Sequence, residues 1–316
     1  MRKLLAALLF APALASAQKY PTKPIEVVVP FGPGGVADIT VRIVAPKISE
    51  DLGQQLVIEN KPSAGGVVAG QEVARARPDG YKLLLISNGN AVSRALFKSL
   101  PYDPDRDFAM ISTIGYFPLV ILTDPKSTLK TVQDVINQAK AQPGKLNVGT
   151  IGIGSTQNLA AEFFKSSAGI NFQVVPYKAT GEVVTAAKNG DASIVFEILA
   201  PATSHIKSGN LRAIAITTGK RFSTLPDVPT VIESGVQGYD VASWNGLAAP
   251  AKTPRETIAR LQQAVAKAVA APDVQKRFAE LGVEGRSSTP EELRDFYAAE
   301  AKRWTRVVET AKIPKH

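Results

Sequence analysis

The sequence predicts a two-lobed α/β fold in which a hinge of two crossing strands joins the lobes around a cleft. Short apolar runs alternate with helix-like apolar spacing, which favours mainly parallel sheets flanked by helices in each lobe. Two glycine-rich turns, Phe31-Gly-Pro-Gly-Gly35 and Gly152-Ile-Gly-Ser155, lie in separate series of these elements. Two long extended stretches, residues 111–123 and 241–250, are suited to pass from one lobe to the other.

The first series of elements begins with a strand at residues 25–29. Strands at 56–59 and 82–86 are likewise short apolar runs edged by Pro, Gly or Asn. Helices are predicted at 37–52 and 67–76, because apolar residues recur there at helical spacing. Strands separated by helices form right-handed βαβ units, so a parallel sheet is expected.

A second series follows the first long extended stretch. It starts with a helix at 131–141 and continues with strands near Leu146 and at 172–175, 193–196 and 211–217. Because the chain leaves the first lobe and later returns, two domains are predicted, one of them discontinuous. Domain 1 comprises residues 18–116 and 247–316, and the inserted domain 2 comprises residues 117–246.

The C-terminal region is predicted to be helical. Thr253-Pro-Arg-Glu256 and Thr289-Pro-Glu-Glu292 both match a capping box with proline at the first helical position. Gly282 is suited to end the helix between them. The apolar stripes of these helices are predicted to face the core.

The first 17 residues match a secretory signal peptide. Arg2 and Lys3 precede an apolar run over residues 4–14, and Ala15-Ser-Ala17 is a small-residue cleavage motif. Cleavage is predicted between Ala17 and Gln18, which gives an exported chain. The apolar run is too short to span a bilayer.

Composition excludes several kinds of chemistry. The chain has no cysteine and two histidines, which argues against thiol chemistry, a Ser–His dyad and a His-ligated metal site. Gly152-x-Gly154 lacks the third glycine of a dinucleotide fingerprint, and the calcium-loop-like run from Asp103 has Phe108 in place of the required glycine. The charge of +9 is scattered, so no nucleic-acid surface is expected. The sequence therefore predicts a non-enzymatic protein with no cofactor, catalytic residue or metal site.

Each glycine turn has the geometry of an anion site. A strand, a glycine turn and a helix start direct unpaired N–H groups and the positive helix end at a ligand. Asp38 falls in the first turn of one helix, where it either caps the helix or accepts a hydrogen bond from the ligand. Ser155 suits both an N-cap and contact with a carboxylate.

Three further side chains are candidates for the cleft, and two of them have two interpretations each. Tyr177 follows a strand and is either packed or one wall of the pocket. Glu197 follows another strand and is placed to face the cleft. Trp244 lies in the return crossing, where it serves either hinge packing or ligand contact.

Several motifs in this order resemble the tripartite tricarboxylate transporter receptors, the Bug or TctC family. The matching residues are Pro30-Phe-Gly-Pro-Gly-Gly-x-x-Asp38, Glu59-Asn-Lys-Pro-Ser-Ala-Gly-Gly66, Pro78-Asp-Gly-Tyr81, Val175-Pro-Tyr-Lys178, Leu225-Pro-Asp-Val-Pro-Thr230 and Ser243-Trp-x-Gly246. The resemblance covers essentially the whole mature chain.

The resemblance implies a periplasmic binding protein of the type II fold that closes on a small carboxylate. The ligand would be a dicarboxylate, tricarboxylate, aromatic acid or amino acid, and a two-component membrane permease would receive it from a monomeric receptor. The ligand-binding residues expected from the turns and the resemblance are Phe31, Gly34, Gly35, Val36, Ala37, Asp38, Ser87, Asn88, Gly154, Ser155, Thr156, Asn158, Tyr177, Ala179, Thr180 and Glu197.

This chain departs from the family pattern on the inserted lobe. Asn158 stands where histidine is common, and Ala179-Thr-Gly-Glu182 replaces the usual Gly-x-x-Pro. Ser193 replaces an acidic residue, and Glu197 stands where aspartate is usual. These positions are therefore expected to influence ligand selectivity.

Two other functions remain open from the sequence. One is an exported hydrolase or lyase that acts on carboxylates in the cleft, against which the missing nucleophile motifs count. The other is a ligand-sensing receptor that feeds a membrane signalling protein.

Overall fold

The structure, a computed structural model, describes residues 20–222 and 224–316. The predicted signal peptide and its cleavage point lie outside the described residues. The first sheet contains three parallel strands in the order β2 (Leu56–Asn60), β1 (Ile25–Val29), β3 (Lys82–Ser87). Strands and helices alternate in this lobe as β1 Ile25–Val29, α1 Val36–Leu52, β2 Leu56–Asn60, a 3₁₀ turn Ala64–Gly66, α2 Val67–Ala74, β3 Lys82–Ser87 and α3 Asn88–Leu96.

One long strand belongs to both sheets. β4 spans Phe108–Thr123 and carries buried side chains along nearly its whole length, as expected for a strand covered on both faces. Its first part, to Pro118, pairs antiparallel with β9 (Ala242–Pro250), and from Leu119 onward it pairs with β7 (Ile194–Ile198) and β8 (Arg212–Ile216). The predicted crossing of this stretch between the lobes is confirmed.

The second sheet repeats the pattern of the first. Its parallel strands β5, β6 and β7 lie in the order β7, β5, β6, and β8 pairs antiparallel with β4. The elements are α4 Val132–Ala141, β5 Asn147–Ile151, α5 Thr156–Ser167, β6 Gln173–Tyr177, α6 Thr180–Asn189, β7 Ile194–Ile198, α7 Leu199–Lys207 and β8 Arg212–Ile216. The predicted two-lobed α/β fold is thus confirmed, although each sheet also contains antiparallel strands.

The chain returns to the first sheet through β9, Ala242–Pro250, which pairs antiparallel with both β3 and β4. The sheets change between Pro118 and Leu119 on β4, and β9 opens opposite Pro118. The domain boundaries at 116/117 and 246/247 stay a prediction. One apolar core continues through both lobes, from Val27 in β1 to Phe164 in α5.

The remaining elements cover the first lobe as α8 Arg255–Ala270, α9 Pro272–Glu280, β10 Glu284–Gly285 and α10 Pro290–Thr310. The capping box of α10 is confirmed, because Thr289 Oγ1 accepts from Glu292 N–H at 3.1 Å and Glu292 Oε2 accepts from Thr289 N–H at 2.8 Å. The capping box predicted at Thr253 is wrong. There Pro254 is the N-cap, and Thr253 N–H is already bound to the Pro250 carbonyl.

Candidate functional site

A cavity of about 440 Å³ lies between the two lobes at the carboxyl ends of the parallel strands. Ligands in open α/β sheets bind at this edge, because the connecting loops leave a crevice there. The walls come from five strand-to-helix turns, three on the first lobe and two on the second.

Five helices begin at this cavity. The N-cap residues of α1, α2, α3, α5 and α6 all line it, and they are Gly35, Gly66, Ser87, Ser155 and Ala179. The first N–H groups of a helix have no partner within the helix, and the helix dipole places partial positive charge at the same end. The arrangement therefore suits a negatively charged group.

The lobes touch on two sides of the cavity. On one side, Gly65 N–H donates to the Ile153 carbonyl oxygen at 2.9 Å, which joins the lobes through their backbones. On the other side, a β-carbon built on Gly32 would lie 3.9 Å from Cβ of Ala179. The cleft is therefore closed.

The first glycine turn contributes some of its predicted residues to the wall. Phe31 and Gly35 line the cavity, whereas Val36, Ala37 and Asp38 are buried behind them and Gly34 is exposed to solvent outside the lining. Asp38 Oδ2 accepts from Gly34 N–H at 3.0 Å, and its Oδ1 accepts from Arg42 Nε at 2.8 Å and from Asn60 Nδ2 at 3.0 Å. Both oxygens thus hold the turn against its own lobe, as in the capping interpretation of Asp38.

The second glycine turn shows the same division. Gly154 and Ser155 line the cavity, and Thr156 and Asn158 are buried behind them. Ser155 Oγ accepts from Asn158 N–H at 3.1 Å as an N-cap and donates to the Ile151 carbonyl at 3.1 Å. Asn158 Oδ1 accepts from Gly154 N–H at 3.3 Å, so this side chain shapes the turn from within.

A buried polar network joins the lobes beneath the cavity. Asn88 Nδ2 on the first lobe donates to Thr156 Oγ1 on the second at 3.0 Å, and Thr156 Oγ1 lies 2.9 Å from Ser243 Oγ at the start of β9. Trp244 Nε1 donates to Asn88 Oδ1. Trp244 is 1% exposed, which places it in the hinge packing rather than on the cavity wall.

The turn after β3 places two unpaired polar groups at the cavity. Ser87 and Asn90 both line it and are 5% and 0% exposed, yet Ser87 Oγ and Asn90 Nδ2 have no hydrogen-bond partner. Buried polar groups are nearly always hydrogen-bonded, so these two suit a ligand atom. Asn90 was missed by sequence reasoning, although its Ser-x-x-Asn spacing after a strand is a helix-start signal.

The second lobe supplies the opposite wall through Tyr177, Ala179 and Thr180. Partial burial, together with Asp191, raises the pKa of the Tyr177 hydroxyl, so the phenol is neutral at physiological pH. Residues 62–66, the last part of the Glu59–Gly66 motif, also line the cavity.

Glu197 lies behind this wall and is 0% exposed. Its Oε1 accepts from Gln157 Nε2 and from Ile198 N–H, both at 2.7 Å, and its Oε2 has no partner. Burial raises the pKa of the Glu197 carboxyl from 4.5 to about 6, because removal from water disfavours the charged form. Glu197 is not among the described residues that line the cavity.

One cluster of carboxylates elsewhere has the spacing of metal ligands. Glu26, Glu59 and Glu72 approach one another within 4.8 Å at the β1–β2 edge. Lys61 and Lys82 each place an amine 2.5 Å from Glu72, so two ammonium groups already balance two of the three carboxylate charges.

Within residues 20–222 and 224–316, no helix is long and apolar enough to cross a membrane.

Comparisons with known proteins agree with this architecture. The family model described as the tripartite tricarboxylate transporter family receptor matches residues 40–313. Protein BugT of Bordetella pertussis is 36% identical over 298 residues, covering 94% of this chain and 91% of BugT.

Solved structures are similar over nearly the whole chain. The R. palustris protein Rpa4515 with adipate has a TM-score of 0.89 and 31% identity, and covers 94% of this chain and 100% of its own. MatC from Rhodopseudomonas palustris with bound malate has a TM-score of 0.87 and 30% identity, and covers 92% and 100%. The chain belongs to the Bug/TctC family of tripartite tricarboxylate transporter receptors.

Proposed function

We propose that this protein is a periplasmic solute-binding protein that captures a small carboxylate between its lobes and delivers it to a two-component membrane permease. The observation that carries the proposal is the convergence of five helix N-caps on one closed cavity. Two relatives of the same fold are described with adipate and with malate, both small carboxylates.

Capture would proceed by closure of the hinge. In an open conformation each lobe presents its own turns to water, and the Gly65–Ile153 hydrogen bond is absent. A carboxylate that bridges turns of both lobes adds binding free energy only in the closed conformation, and so shifts the population towards it. Backbone dipoles stabilise the anion without a buried cation.

Ser155→Ala is expected to weaken carboxylate binding by about 0.5–3 kcal/mol, the range for neutral and charge-assisted hydrogen bonds, because the Ser155 O–H, which donates to the Ile151 carbonyl in this structure, would donate to the bound carboxylate instead. Ser155 also caps α5, so a loss of stability of about 1 kcal/mol accompanies the change. Titration calorimetry reports the affinity, and thermal unfolding reports the stability separately.

The matched control is Ser166→Ala, which removes a hydroxyl from the other end of the same helix. It is expected to leave affinity unchanged. Equal affinity of Ser155→Ala and the unaltered protein would show that the hydroxyl is not part of the site.

The ligand itself is best sought by native mass spectrometry of the protein purified from periplasm, followed by a thermal-shift screen of carboxylates and their amides. A carboxylate is expected to raise the melting temperature, and its amide to do so much less. Absence of any shift across a broad panel of acids, or turnover of one of them, would contradict the proposal.

A further inference from the structure

The cavity has two chemically different sides. The donor side is formed by the turns at 62–66, 87–90 and 151–155, and the acidic side by the turns at 31–35 and 176–180. A β-carbon built on Gly89 would lie 3.2 Å from the Gly154 carbonyl oxygen, within the donor side. One built on Gly35 would lie 3.9 Å from Thr180 Oγ1, within the acidic side.

The helices of the acidic side carry their own carboxylates. α1 has Asp38 in its first turn and α6 has Glu182. Asp38 accepts from Gly34 N–H and Glu182 from Lys178 N–H, both at 3.0 Å. A carboxylate in the first turn compensates the positive end of the dipole, so both helix ends offer little to a ligand anion.

The helices of the donor side carry no such compensation. α2, α3 and α5 have no acidic residue in the first turn. The two buried unpaired groups, Ser87 Oγ and Asn90 Nδ2, also lie on this side. A carboxylate placed here would meet three uncompensated helix ends and two unused hydrogen-bonding groups.

Although α1 and α6 carry the carboxylates that give the acidic side its name, the side chains that line this side of the cavity are mostly apolar. Phe31, Pro176, Tyr177 and Ala179 line it, and the buried Glu197 carboxyl lies behind. Lys178 is the one fully charged side chain among the described lining residues, but it is exposed, so solvent screens its ammonium group. A ligand carboxylate on this side would lose hydration without gaining matching donors.

We propose that the cavity selects acids with a single carboxylate, seated at the donor side, and an uncharged apolar body that packs against the acidic side. The inference rests on the proposed function, because it assumes that this cavity binds a carboxylate.

The test is titration calorimetry with two matched sets of compounds: hexanoate, adipate and hexanamide; and benzoate, terephthalate and benzamide. The mature protein is first unfolded and refolded to remove co-purified ligand. In at least one set the monoacid is expected to bind at least about tenfold more tightly than the diacid, a difference of about 1.4 kcal/mol. It is also expected to bind more tightly than the amide.

The outcomes separate the two proposals. If no acid, with one carboxylate or two, binds more tightly than the amide of its set, or no acid binds at millimolar concentration, the proposed carboxylate function itself fails, and this inference with it. If the acids exceed the amides but the diacids bind as tightly as the monoacids, only the single-carboxylate inference is overturned.

Two variants test the reason for the selectivity. Glu182→Gln removes the exposed first-turn charge of α6. It is expected to lower the ratio of the diacid Kd to the monoacid Kd several-fold. Glu291→Gln, the same change in the first turn of α10, is the control and is expected to alter nothing. Lys178→Met is expected to bind the monoacid more tightly than the diacid, as the unaltered protein does. If the unaltered protein instead prefers the diacid and Lys178→Met abolishes that preference, Lys178 holds a second carboxylate.

Discussion

Gly154→Ala is expected to weaken ligand binding by at least about tenfold, or about 1.4 kcal/mol, while the protein still folds. Gly154 has φ +81°, a conformation that strains any residue with a β-carbon. Its new β-carbon would also lie 3.1 Å from Cα of Gly65, across the cleft. That contact is with backbone and exists only when the lobes are closed, so the open conformation is favoured.

Two alanine substitutions separate strain from the clash. Gly190→Ala carries the same strain at φ +78°, but no atom lies within 4 Å of its β-carbon. Gly152→Ala, in the same turn as Gly154, meets no atom within 4 Å and has no positive φ. Both are expected to bind as the unaltered protein does, although Gly190→Ala lowers stability by about 1–2 kcal/mol.

Titration calorimetry gives the affinities of these variants for whichever of hexanoate, adipate, benzoate and terephthalate the unaltered protein binds most tightly. Small-angle X-ray scattering with and without that acid reports closure as a fall in the radius of gyration. If Gly154→Ala binds and compacts as Gly190→Ala does, the close approach of the turns at 65 and 154 does not govern binding.

Glu197→Gln is expected to raise the free energy of unfolding at neutral pH by up to about 2 kcal/mol. The pKa of this carboxyl rises from 4.5 to about 6 on folding, and each pKa unit corresponds to about 1.4 kcal/mol. Glutamine keeps an Oε1 that accepts from Gln157 and Ile198, and the atom it changes, Oε2, has no partner. The variant therefore removes a buried charge and retains its hydrogen bonds.

The pH dependence follows from the direction of the shift. The folded protein binds the proton more tightly than the unfolded chain, so this group contributes no loss of stability below pH about 4.5. Stability then falls as the pH rises from about 4.5 to about 6, and the loss is constant above that range. Urea unfolding at a series of pH values is expected to show this fall in the unaltered protein relative to Glu197→Gln. If the free energies of unfolding of the two proteins change in parallel with pH, folding does not raise the pKa of the Glu197 carboxyl.

Local sequence patterns predicted the elements well because their causes are local. Apolar periodicity, glycine turns and the Thr289–Glu292 capping box each depend on residues within one or two turns of chain. The same reasoning failed at Thr253, where the N–H that the cap would use is bound to the Pro250 carbonyl. The turn that precedes α8 forms this hydrogen bond, so Thr253 N–H is not available to the Glu256 side chain.

The candidate site was predicted less evenly than the fold. The sequence placed the glycine turns at the strand ends, and Phe31, Gly35, Gly154 and Ser155 indeed line the cavity. It could not tell which neighbours point inward. Asp38 and Asn158 hold their own turns, whereas Asn90 presents an unpaired amide to the cavity. Side-chain direction depends on which partners the fold brings near, such as Asn60 for Asp38.

The sequence by itself determined the alternation of strands and helices, the two crossings between lobes and the helix starts suited to an anion, since these follow from periodicity and turn chemistry. Only the tertiary structure decided that five helix starts share one cavity, that the turns at 65 and 153 bond across the cleft, and that the donor and acidic sides differ. The physical reason is that hydrogen bonding and burial at a site are set by residues far apart in the chain, which only the closed fold brings together.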